Sequence, residues 1–177
     1  MHPLSLFRYC PKCGSSHFAD HDFKSRKCAA CGFVYYLNPS AATAAFILNN
    51  KNQLLVARRL KEPAQGTCDL PGGFVDYNET AGEAIVREIR EETGLNLTHP
   101  EFLFSLPNNY LYSGLEIPTL DLFFSFRLDT NPVLQAADDV SELFFLPKEL
   151  IDPSEFGLSS IRKAVEIWLR LEKPEII

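Results

Sequence analysis

The sequence predicts a layered α/β domain with a mixed sheet, preceded by a small cysteine-bearing module. Three observations predict it. Four of the five cysteines fall in the first 31 residues, as two Cys-x-x-Cys-Gly knuckles. Short apolar runs of strand type recur from Ala44 to Leu146. Two amphipathic helical patterns, at about residues 80–94 and 158–172, interrupt and close that series, which is the order of a sheet layered between helices.

The composition sets the bounds. A chain of 177 residues allows one full domain plus a small module. Hydrophobic residues at 46% and charged residues at 23% permit a buried core. A formal net charge of -6 makes a poor general binder of a phosphate backbone, so nucleic acid is not the expected partner. A small phosphorylated substrate remains compatible, because a bound divalent cation supplies positive charge locally. No run approaches the roughly 20 apolar residues that cross a bilayer, and Met1–Arg8 lacks a long apolar stretch behind a basic start. A cytoplasmic protein without membrane contact is expected, with its thiols reduced.

The knuckles are Cys10-Pro11-Lys12-Cys13-Gly14 and Cys28-Ala29-Ala30-Cys31-Gly32. Twin spacing of this kind suits tetrahedral thiolate ligation of Zn²⁺, and glycine after each second cysteine permits the tight turn. His17 and His21 are alternative ligands, though four thiolates complete the set without them. A closed four-thiolate site has no open position, so the zinc would be structural. Residues 1–36 read as a zinc ribbon and 37–177 as the main domain, with the boundary near Leu37-Asn38-Pro39-Ser40. The remaining Cys68 reads as a small buried hydrophobe.

In the main domain, Ala44–Leu48 and Gln53–Arg59 flank an Asn-rich turn and predict a β-hairpin. Leu70-Pro71-Gly72-Gly73 must be a loop. Thr80 and Glu83 have capping-box spacing, Ala81, Ala84, Ile85 and Ile89 form an apolar stripe, and Gly94 is the C-terminal cap of a helix. Strands are expected at Phe102–Leu106, Leu120–Leu128 and Leu143–Leu146. A last helix is expected from about Leu158 to Glu172, with Leu158, Ile161, Val165, Trp168 and Leu169 facing inward.

The capped helix carries the chemistry. Glu88, Glu91 and Glu92 stand at i, i+3 and i+4 and share one face within a single turn. Three carboxylates so close repel each other, and a hard divalent cation with oxygen ligands relieves that repulsion. Arg87, four residues from both Glu83 and Glu91, can pair with either. A solvated charged helix face is the plainer reading of the charges alone, but it leaves the adjoining glycine loop unexplained.

Gly73, Glu79, Arg87, Glu88, Ile89, Glu91, Glu92, Gly94 and Leu95 match every fixed position of a long pattern. That pattern is glycine, five residues, glutamate, seven residues, Arg-Glu, an aliphatic residue, any residue, Glu-Glu, any residue, glycine, aliphatic. The segment resembles the Nudix box. The resemblance implies an α/β/α layered Nudix fold with a mixed sheet. It also implies a metal-dependent pyrophosphohydrolase that splits a nucleoside diphosphate linked to another moiety into a nucleoside monophosphate and a phosphorylated partner. Glu88, Glu91, Glu92 and the carbonyl of Gly72 would hold Mg²⁺ or Mn²⁺, Arg87 would orient the glutamates, and Glu79 would support the loop. Glu92 or Glu142 would handle the attacking water; Glu142 also reads as a surface glutamate that begins a strand.

A zinc ribbon before such a domain resembles NADH pyrophosphatases, but their Gln-Pro-Trp-Pro-Phe-Pro-type motif after the box is absent. The region reads Ser105-Leu106-Pro107-Asn108-Asn109-Tyr110-Leu111-Tyr112-Ser113. Tyr112 lies where diadenosine-polyphosphate hydrolases of the family tend to have a tyrosine. As a loop, this stretch would bind substrate through Asn108, Asn109, Tyr110 and Tyr112, or form a plain Asn-Asn turn. The competing reading of the whole chain is a catalytically weak Nudix-like sensor whose ribbon binds a partner. A ribbon-mediated homodimer is a third.

Overall fold

The computed structural model describes residues 2–112 and 114–171, Tyr112 by its backbone alone. The chain separates into two units, Met1–Pro39 and Ser40–Ile177. In the first, β1 (Phe18–Asp22), β2 (Ser25–Cys28) and β3 (Val34–Tyr36) form an antiparallel meander. The Leu37 N–H donates to the Lys24 carbonyl, so residue 37 stays with this unit although the sequence placed the boundary before it. Its small core is Cys10, Phe18 and Cys28, backed by Phe33 and Tyr35.

The second unit contains β4 (Ser40–Leu48), β5 (Leu54–Arg59), β6 (Cys68–Asp69), α1 (Ala81–Thr93), β7 (Glu101–Tyr112), β8 (Leu115–Arg127), β9 (Val140–Leu146) and α2 (Ser159–Arg170). The sheet runs β6-β5-β4-β8-β7, with β9 also paired to β5. It is mixed: β4 and β8 are parallel from Ser40↔Thr119 to Leu48↔Arg127, and β7 and β8 are antiparallel.

Period-two alternation along the strands puts a core on each sheet face. Phe46, Val56 and Phe123 pack toward α2 through Val165 and Trp168. Ala45, Ile47, Leu55 and Phe124 pack toward α1 through Ile85 and Ile89. The α/β/α layering follows. No helix among the described residues is long and apolar enough to cross a membrane.

Three expectations change. The hairpin of β4 and β5 closes only at Leu48↔Leu54, and β5 takes β9 as its long antiparallel partner. The stretch after Leu106 is no loop: β7 runs on to Tyr112, paired through Asn108↔Thr119, Asn109↔Pro118 and Tyr110↔Ile117. Pro107 is tolerated because β7 is the edge strand, where a missing N–H costs little. The last helix ends at Arg170, and Glu172 lies outside the described residues. Leu158 is its N-cap residue, and Leu158 and Leu169 pack half-buried against the α2-side core.

Candidate active site and cysteine cluster

The parting of β4 from β5 makes room for the site. Beyond Leu48↔Leu54 the segment after β6 slides against β4, with Ala45 N–H donating to Pro71 O (2.9 Å), Thr43 N–H to Gly73 O (2.8 Å) and Val75 N–H to Ala41 O (3.0 Å). Gly72 is required there. Its φ is +152°, and a Cβ would lie 2.1 Å from Thr43 O. The constraint aims the Gly72 N–H at Glu92 Oε2, 2.9 Å away. A Cβ on Gly73 would lie 2.5 Å from Glu88 Oε1, so the loop rests on Glu88.

Local sequence fixes α1 under this loop. Thr80 and Glu83 form the reciprocal capping box, and Gly94 closes the helix in the left-handed conformation at φ +73°. With Glu83 engaged in the cap, Arg87 turns to other partners. Its Nη1 donates to Glu88 Oε1 (2.8 Å) and Glu91 Oε2 (3.1 Å), its Nη2 to Glu79 Oε1 (2.6 Å) and Phe74 O (3.0 Å). Glu79 Oε1 also accepts from the Asp76 N–H at 2.6 Å. One guanidinium therefore ties loop and helix together.

Burial divides the glutamates. Burial first, then Asp69, Glu88 and Asp138, pushes Glu92 well above the ordinary carboxyl value against the Gly72 N–H. Burial likewise raises Glu88, with Arg87 opposing. The Arg87 hydrogen bond lowers Glu79. Glu91 is exposed apart from its contact with Arg87.

Glu88, Glu92, Gly72 and Gly73 line a cavity of about 290 Å³ together with Asn108 and Tyr110. Glu91, Asn109 and Glu142 are not on its wall. Glu142 is exposed on β9 and pairs with Arg58 at 3.1 Å. Asn108 is held by Asp121 and Ser159, and Tyr110 sits edge-on to Phe74 at 5.5 Å between ring centroids. The side chain of Tyr112 lies outside the described residues.

The cavity also gathers residues the sequence did not single out: Arg59, Asp69, Asp121 and Asp138. Arg59 is paired with Asp69 and reaches Tyr110 Oη at 3.4 Å. They come from separate elements, and no local spacing marks them.

In the first unit, Gly14 N–H donates to Cys10 O and Gly32 N–H to Cys28 O, the same turn twice. The four Sγ atoms of Cys10, Cys13, Cys28 and Cys31 lie within 4.8 Å of one another, with Cys10–Cys31 at 3.8 Å and Cys13–Cys28 at 3.7 Å. A tetrahedral ion with metal–sulfur bonds of about 2.3 Å sets its sulfurs about 3.8 Å apart, so the cluster fits one. Backbone N–H groups, that of Cys31 first, pull the Cys28 thiol down to about 7. His17 and His21 are exposed and outside the cluster.

A family model for the NUDIX domain matches residues 38–166. The chain belongs to the Nudix family. Over 175 residues this Nudix chain is 28% identical to the NAD-capped RNA hydrolase NudC of Stutzerimonas stutzeri, covering 97% of the chain and 60% of that protein. Over 60 residues it is 48% identical to the ADP-ribose pyrophosphatase of Methanocaldococcus jannaschii, 34% of the chain and 35% of that protein. The chain thus spans less than two thirds of the length of either relative. A NUDIX hydrolase structure from Nitrosomonas europaea shares the fold with a TM-score of 0.70 at 19% identity, covering 92% of this chain and 90% of that one. The NUDIX domain of Shewanella oneidensis NrtR, complexed with ADP ribose, superposes with a TM-score of 0.59 at 19% identity, covering 73% and 85%.

Proposed function

We propose that this chain hydrolyses the pyrophosphate bond of a nucleoside diphosphate linked to a second group, giving a nucleoside monophosphate and a phosphorylated partner. The observation that carries this reading is the seating of Glu88 and Glu92 directly against the Gly72–Gly73 loop at the cavity wall. With Glu91 and the Gly72 carbonyl they would supply hard oxygen ligands to Mg²⁺ or Mn²⁺. The buried Glu92 and half-buried Glu88 carboxyls, both pushed upward by burial, are what a divalent cation would hold ionised. Bound there, such an ion would neutralise phosphate oxygens and make its water ligand acidic.

The chain's own residues do the rest. Arg87 holds Glu88 and Glu91 in register. Glu92, oriented by the Gly72 N–H, accepts the proton of the attacking water as its oxygen bonds to one phosphorus and the bridging P–O bond breaks. Glu92 is preferred to Glu142 for this step, since Glu142 is spent on Arg58 away from the cavity wall. Tyr110 and Phe74 offer an aromatic surface for a base. The four cysteines would hold a structural Zn²⁺. Support for the substrate class comes from the relatives, whose names specify an NAD cap on RNA and ADP-ribose.

The test is a screen with Mg²⁺ or Mn²⁺ over NADH, ADP-ribose, diadenosine polyphosphates, nucleotide sugars, NAD-capped RNA and nucleoside triphosphates. Nucleoside monophosphate released from a linked diphosphate is the expected result. Turnover of plain triphosphates alone overturns the substrate class, and binding of ADP-ribose without turnover of any substrate favours the sensor reading.

A further inference from the structure

We infer that Asp121 is a specificity-determining residue that reads hydrogen-bond donors on the nucleoside end of the substrate; the inference rests on the diphosphate reading above. Asp121 lies on β8, is 7% exposed, and lines the same cavity as Glu88 and Glu92. Its Oδ1 accepts from Thr119 Oγ1 at 2.6 Å. Its Oδ2 accepts from Ser160 Oγ at 2.5 Å and Asn108 Nδ2 at 3.2 Å. Ser159 Oγ donates to Asn108 Oδ1 at 2.9 Å, which fixes the amide with its NH₂ toward Asp121. Donors from β7, β8 and α2 thus converge on one buried carboxylate.

All three donors are neutral, and among the described residues no Lys, Arg or His forms an ion pair with Asp121. A buried carboxylate without a cation is costly. A carboxylate has about four lone-pair sites, and here three are filled. The group is fixed and short of one donor, on the wall of a ligand-sized cavity. It offers its free acceptor site to an N–H or O–H.

The register shows which part of a substrate meets it. Asp121 pairs with Ala42 on β4, and Ala42 bridges to Phe74 on its other side. Two strand spacings, about 10 Å, therefore separate Asp121 from the loop that carries Gly72 and Gly73. With a diphosphate at the loop, the nucleoside extends over Ala42 past Tyr110 and brings its far edge to Asp121. The shared chemistry is a donor-bearing edge, supplied by the amino or ring N–H of a base or by sugar hydroxyls.

The experiment compares wild type and Asp121→Asn on substrates with identical phosphates and leaving group: adenosine, guanosine and inosine diphosphate derivatives and their 2′-deoxy forms. Loss of this buried hydrogen bond should raise KM by about 10-fold for the form whose donor is read, far more than for the form lacking it. An effect that follows the base assigns the base edge, and one that vanishes in the deoxy series assigns the sugar. An equal change across all substrates, or none, overturns the inference and leaves the hydrolase reading intact. Nucleosides without phosphate provide a measurement that needs neither the variant nor turnover. Adding guanosine or adenosine to the wild-type protein should shift the Asn108 side-chain amide in its NMR spectrum. An unmoved amide at saturating nucleoside also overturns the inference. A shifted amide with no hydrolysis of any substrate would sustain it while the hydrolase reading failed.

Discussion

Glu92 sits where the helix pattern asks for an apolar side chain. Ile85, Ile89 and Glu92 follow i, i+4, i+7, and all three are buried. Replacing it with the isosteric Gln keeps the shape and removes the proton acceptor, so turnover should fall at least about 100-fold with the fold retained. Near-normal turnover of Glu92→Gln at saturating Mg²⁺ would remove Glu92 from the water-activating role, and Glu142→Gln measured in parallel should be close to wild type. The same residue makes metal-free stability depend on pH. Its folded carboxyl titrates above the unfolded value of about 4.3, so the folded chain binds more protons than the unfolded one. Stability from this source is full below about pH 4.3 and is lost as pH rises through the folded value. Glu79 and Glu83 act with the opposite sign, and their contribution is lost as pH falls from the unfolded value of about 4.3 through their lowered values. In EDTA, Tm should therefore decline as pH rises above about 4.3, and Glu92→Gln should flatten the slope. Identical slopes in the two proteins would contradict the assignment.

At the scale of elements, the site depends on a strand pair that separates after one residue pair and admits the glycine loop. Gly72→Ala should destabilise the domain by about 2 kcal/mol or more, because its φ is +152° and the added Cβ collides with the backbone of Thr43. For a chain of this size that is a drop in Tm of about 4 °C or more. Gly82 is the control. It lies in the first turn of α1, where a Cβ would meet its nearest neighbour, Pro100 Cγ, at an ordinary 3.4 Å. Gly82→Ala should raise stability by up to about 1 kcal/mol through helix propensity. Equal losses in both variants, read by thermal unfolding, would show that the loop geometry is not special.

At the scale of the whole molecule, the two units should respond differently to chelation. A buried core of Cys10, Phe18 and Cys28 is too small to fold a unit of this size unaided, so the four-thiolate ion should supply the missing stability. Dialysis against EDTA is expected to leave one zinc per chain while activity disappears and returns with Mg²⁺. Harsher removal of zinc should abolish amide protection in residues 1–39 and spare the sheet of the second unit. Persistent protection of β1–β3 in metal-free protein, measured by hydrogen exchange, would overturn this.

What the sequence determined by itself is local. The knuckle turns repeat within a few residues, and the capping box, the apolar stripe of α1 and the Gly94 cap are set by neighbours three or four positions apart. The pattern from Gly73 to Leu95 packs most of the proposed metal chemistry into one loop and one helix, so spacing alone brings Glu88, Glu91, Glu92 and Arg87 to one face. The tertiary structure decided what depends on partners far along the chain. A strand's own alternation does not name its neighbour, so the parallel pairing of β4 with β8 and the extension of β7 through Asn108 and Tyr110 were not legible. The convergence of Arg59, Asp69 and Asp121 on the cavity of Glu88 and Glu92 was equally hidden, because a cavity wall is assembled from residues whose separation in sequence carries no periodic signal. Asp121 shows this most clearly: only Thr119 reaches it from nearby in sequence, and its other two donors, Asn108 and Ser160, arrive from β7 and α2 through the fold.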